Sequence, residues 1–183
     1  MSDLKNGDSI YESACGRGSN LLSTLNVLRD ECGINVTAHG SDYLSLSIAV
    51  AKQLFTDENN FCQADSTNIS YINNNTFDLS FTGYIDPIIG ADQKLQEQWY
   101  EKWIVELVRV TKKGKPIVIE SVSYSKREDP EDWGGVSPTF FGENANRWGV
   151  HNLHIMLMPR TEQWTFHRYH VFMMKDELLK ADA

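Results

Sequence analysis

The chain has 183 residues, 41% of them hydrophobic, which suits one domain around a single core and is too little for two ordinary ones. Seventeen Lys and Arg against 25 Asp and Glu leave a formal charge of -8 with no basic stripe along any segment, which argues against nucleic acid as a partner. No apolar run approaches the roughly 20 residues of a spanning helix, no apolar signal core follows Met1, and the three cysteines are widely spaced, so the expectation is a soluble, cytoplasmic protein without membrane contact, disulfide or zinc site.

In chain order, Asp8 to Ser13 reads as a strand that stops in Ala14-Cys15-Gly16-Arg17-Gly18. Residues this small let a ligand lie against the peptide plane. Ser19 or Asn20 then caps a helix over 19–31 that carries Leu21, Leu22 and Leu25 on one face. A second strand, Ile34 to Asp42, ends on an acid beside the first, where a carboxylate can accept hydrogen bonds from both ribose hydroxyls of a nucleoside. Tyr43 to Phe55 follows as a helix. Asn60 to Ser66 is a short apolar run ending in Asp65, read either as a contact to an exocyclic amine such as that of adenine or as a helix cap.

After a turn at Asn73–Asn75, a fourth strand from Thr76 runs through Phe81 and Thr82 into a loop around Gly83. Gln93 to Thr111 is a long helix whose tryptophans are read as core anchors, and Lys115 to Ser123 is a fifth strand buried on both faces. Residues 124–149 read as an irregular, aromatic-rich insertion over the strand ends. Val150 to Met158 and Trp164 to Met174 close the chain as an antiparallel hairpin.

Strands alternating with helices, then a hairpin, give an α/β doubly wound sheet of seven strands, mostly parallel, with helices on both faces. With its motifs in this order the chain resembles the class I S-adenosylmethionine-dependent methyltransferases. Glu12-Ser-Ala14-Cys-Gly16-Arg-Gly18 matches that family's acid-x-Gly-x-Gly-x-Gly turn, with Ala in the first glycine place. The resemblance implies one methyltransferase domain over 1–183, with S-adenosylmethionine as cofactor and S-adenosylhomocysteine as product. It implies a cofactor site of Glu12, Ala14, Cys15, Gly16, Gly18, Asn20, Asp42, Tyr43, Asp65, Ser66, Phe81 and Thr82. On the acceptor side stand Tyr84 and Asp86 as catalytic candidates, with Tyr124, Trp133 and Trp148 lining a pocket for a small molecule; no metal is expected.

Members of that family begin with one or two helices that fold over the cofactor, and little chain precedes the first strand here. A second copy or a partner subunit is one expected source of that cover. Two other readings share the glycine turn: an NAD-dependent dehydrogenase, and a cofactor-binding module without catalysis.

Overall fold

The structure is a computed structural model that describes residues 4–55, 60–83, 85, 92–124, 135–159 and 167–177. Its elements are β1 (Ser9–Ser13), α1 (Ser19–Asp30), β2 (Thr37–Asp42), α2 (Ser45–Leu54), β3 (Phe61–Gln63), β4 (Leu79–Thr82), α3 (Gln93–Val110), β5 (Pro116–Tyr124), α4 (Pro138–Trp148), β6 (Val150–Leu157) and β7 (His167–Lys175). The strands form one sheet in the order β3-β2-β1-β4-β5-β7-β6. β1 to β5 pair in parallel, and β7 runs antiparallel between β5 and β6. This is the doubly wound sheet with a terminal hairpin that the hydrophobic pattern implies. No helix among the described residues is long and apolar enough to cross a membrane.

Because successive side chains of a strand point to opposite faces, the sheet sorts its residues into two cores. On one face Tyr11, Ile117, Ile119, Tyr169 and Val171 meet Tyr100, Trp103 and Leu107 of α3 and Phe141 and Trp148 of α4. On the other, Ile10, Leu79 and Phe81 meet Leu21 and Leu28 of α1 and Ile48 and Ala51 of α2. The amino ends of the strands are tied by charge. Asp78 accepts from the Ser9 amide at 3.1 Å and from Lys112 Nζ at 2.7 Å. Lys175 Nζ donates to Asn75 Oδ1, Arg109 O and Thr111 O, and burial pulls its pKa down to about 8.

Three expectations are corrected. Residues 124–149 are not irregular throughout, since 138–148 form α4. Pro138 opens that helix with a pre-set φ, Gly149 closes it at φ 68, and Phe140, Phe141, Ala145 and Trp148 fall on its buried face. No helix joins β3 to β4. The Ser, Thr and Asn residues of 66–75 favour turns, Thr67 bonds back to Asp65, and Arg109 of α3 holds this stretch by donating to Ile69 O and Ile72 O. Finally, β5 is not buried on both faces, because on the α1 side Val118 and Glu120 are only half-buried.

Candidate functional site

The site is built where β1 gives way to α1. Two buried hydrogen bonds fix the carboxyl end of β1 from the α3 side: Trp103 Nε1 donates to Ser13 Oγ at 3.0 Å, and Tyr11 Oη and Ser41 Oγ lie 2.7 Å apart. The chain then coils through three left-handed residues, Ala14 (φ 54), Gly16 (φ 55) and Gly18 (φ 82). Cys15 N donates to Ser41 O at 2.8 Å and Gly18 N to Cys15 O at 2.9 Å, which closes the coil. Gly18 is both left-handed and confined, because a Cβ there would stand 2.8 Å from Phe55 Cε2. Gly16 is the opposite case: nothing lies within 4 Å of where its Cβ would be, so the peptide faces open space.

Asp42, at the end of β2, reaches across to this coil. Its Oδ2 accepts from the Gly16 amide at 2.9 Å and its Oδ1 from the Leu44 amide at 2.8 Å. The carboxylate is therefore held in place by backbone, and each oxygen keeps lone-pair capacity for a further donor.

Glu12 is 1% exposed, an unusual place for a carboxylate. Asn20 Nδ2 donates to its Oε1 at 2.8 Å, while Oε2 is buried and has no hydrogen-bond partner among the described residues. Burial is the main force on its pKa, pushing it up to about 7, and the Asn20 hydrogen bond offsets part of that. A buried polar atom left unpaired costs free energy unless a ligand completes it. Gly83 stands beside the pair, its Cβ position 3.2 Å from Asn20 Nδ2 and 3.5 Å from Glu12 Oε1.

The other expected residues differ in exposure and in partners. Asn20 and Ser19 do not cap α1; the cap is Gly18, with no side-chain bond, and Asn20 serves Glu12 instead. Cys15 is buried behind the coil, and burial pushes its thiol pKa well above the ordinary range. Tyr43 is 71% exposed, and its carbonyl accepts from Gln63 Nε2. Asp65 caps no helix; its Oδ1 accepts from Thr67 N and Thr67 Oγ1 in a local turn. Ser66 is buried next to it. Phe81 is buried in the α1-side core, and Thr82, fully buried, turns to the opposite face.

Of the acceptor-side residues, Tyr84, Asp86 and Trp133 lie outside the described residues, and Tyr124 is the last residue of β5. Trp148 is 5% exposed, its ring packed on Phe140 and Phe141 in the core under α4. One acid escaped sequence reasoning. Glu120 of β5 lies on the sheet face that carries Glu12, close enough that the two carboxylates repel and raise the pKa of Glu12. The signal that singles out Glu12, Asp42 and Asp65, an acid at the carboxyl end of an apolar run, is also present at Glu120.

No family model and no curated protein matches the chain. Solved structures match closely in shape. A S-adenosylmethionine-dependent methyltransferase from Methanosarcina mazei superposes with a TM-score of 0.67 at 13% identity, over 94% of each chain. A Haemonchus contortus phosphoethanolamine N-methyltransferase 2, in complex with S-adenosylmethionine, gives 0.68 at 14% identity over 96% of this chain and 50% of its own. The [4+2]-cyclase SpnF gives 0.70 at 15% identity, over 94% and 77%.

Proposed function

On this fold, which is that of the class I S-adenosylmethionine-dependent methyltransferases, we propose that the chain binds S-adenosylmethionine in the crevice above β1, β2 and β4 and transfers its methyl group to a small molecule. The observation that carries the reading is Glu12 Oε2, a buried acceptor without a hydrogen-bond partner among the described residues, on the strand that leads into the coil where Gly16 has open space. An ammonium donor fits that oxygen, and the methionine part of the cofactor carries one.

When bound, the cofactor supplies a methyl group already activated on a sulfonium. The protein is left with positioning, which alone can contribute several kcal/mol to a rate. Asn20 fixes the Glu12 carboxylate through Oε1 and leaves Oε2 as the acceptor for the ligand. Gly16 leaves room for the ligand backbone, and Asp42, held by the Gly16 and Leu44 amides, accepts from the ribose hydroxyls. Cytoplasmic location belongs to the same proposal, in keeping with the composition.

A second reading, a binding module or an enzyme of another reaction, is favoured by the likeness to a cyclase, since one fold hosts many chemistries. Calorimetric titration with S-adenosylhomocysteine, run beside NAD, tests the cofactor. Micromolar binding of the former alone is expected, and binding of neither, or of NAD alone, removes the proposal. Asp42→Asn keeps the shape of the side chain and is expected to cut that affinity about tenfold or more. Turnover in an acceptor screen separates the two readings.

A further inference from the structure

The two sheet faces are not equally covered. Past α1, the face formed by β4, β5 and β7 opens into a cavity of about 350 Å³, within the range of small-ligand sites. Its floor is Phe81, Val118 and Phe172, and Met156 of β6, 52% exposed, forms its far wall. Set in this apolar lining are Glu120 and His170. Strand alternation puts His170 on this face, since Tyr169 and Val171 point into the α3 core and His170 and Phe172 point away from it, and Glu120 reaches the same lining from β5. The β5–β7 register slips between Ile119 and Val122, across Glu120 and Ser121, and bulges commonly re-aim a side chain at a site.

We propose that this cavity is a binding site for a small amine with an apolar body, the ammonium paired with Glu120 and the body lying on Phe81, Val118 and Phe172. Charge selects the class. Among the described residues no Lys or Arg lines the cavity, and Glu12 adds a second carboxylate on the same face, so the field of these groups favours a cation over an anion. The faces of Phe81 and Phe172 suit a cation as well. Thr24 commits its hydroxyl proton to Asn20 O at 3.0 Å, which leaves its oxygen only as an acceptor, a role an ammonium can use and a carboxylate cannot. Phe81 pairs in register with Glu12, so the cavity adjoins the crevice at its β4 side. That the bound amine is the methyl acceptor rests on the methyl-transfer reading; that it binds does not.

The test is calorimetric titration of the full chain with 2-phenylethylamine, and with 3-phenylpropionate as an anion of similar shape, each with and without S-adenosylhomocysteine. The amine is expected to bind and the anion not. Glu120→Gln is expected to weaken the amine about tenfold or more, the scale of one lost charge-assisted hydrogen bond, with the melting temperature unchanged. Ser23→Trp, which fills the rim while keeping the acid, is expected to block the amine equally. Equal binding of amine and anion, full affinity in Glu120→Gln, or no amine binding overturns the proposal. Failure of the S-adenosylhomocysteine titration alone removes the cofactor reading and leaves the amine site standing.

Discussion

The face under α3 and α4 and the face under α1 and α2 belong to one sheet but are built for different ends. The first is filled with large rings: Trp103, Tyr100, Phe141 and Tyr169 are each essentially inaccessible, and Trp99, Tyr100 and Trp103 touch one another. The second holds smaller aliphatics near β1 and then opens over β5 and β7, with two carboxylates on it. Stability is invested on one side and ligand chemistry on the other, so substitutions on the two sides should fail differently.

The largest contrast is between two aromatic truncations. Trp103→Ala empties the filled face and also frees Ser13 at the end of β1, and a loss of about 3–5 kcal/mol is expected in urea unfolding. Phe172→Ala, on the open face, should cost about 1 kcal/mol or less. Similar losses would mean that the two faces bear load equally.

Glu12→Gln sharpens the contrast through pH. The folded carboxyl titrates near 7 instead of 4.5, so the folded state holds its proton more tightly than the unfolded chain. Wild-type stability is therefore full below about pH 4.5 and declines as pH rises to about 7. The Gln variant lacks this decline, and above pH 7 it should be the more stable by on the order of 3 kcal/mol, while binding S-adenosylhomocysteine more weakly. Parallel pH profiles for the two proteins would refute the burial argument.

Two turn substitutions give smaller effects. Gly18→Ala forces a Cβ into a left-handed residue and against Phe55, and should cost about 1–2 kcal/mol by thermal unfolding. Ala14→Gly relieves left-handed strain at φ 54 but adds freedom to the unfolded chain. The net expectation is a gain of about 0.5 kcal/mol, and any loss would show that Ala14 is held there by contacts the strain does not outweigh.

Sequence reading finds the position of an element or side chain where one local rule governs. The acid-and-small-residue turn gives Glu12, Gly16 and Gly18, and the second strand's terminal acid gives Asp42, because a parallel sheet brings those strand ends together. Helical spacing gives α3 nearly to the residue. Elsewhere competing signals mislead. Ser137-Pro138 and Gly149 mark the ends of α4 clearly, but the polar, glycine-bearing stretch before it masks the spacing of Phe141, Ala145 and Trp148. Asn20 reads as a cap by type, yet its partner is eight residues back, on β1. Glu120 is hidden because a run such as Ile117-Val-Ile119 implies two covered faces, and only the arrangement of helices reveals that one of them is bare.

The strand order has a consequence for how the chain is made. β7 is the last strand of the sheet in sequence, yet it occupies the slot between β5 and β6. During synthesis β5 can pair with β4 but must keep its other edge open until residues 167–175 have left the ribosome. Up to that moment the edge beside Ile117 and Ile119 is an unpaired apolar template of the kind that invites aggregation. A nascent chain stalled before His167 is the form of this protein that a chaperone would meet.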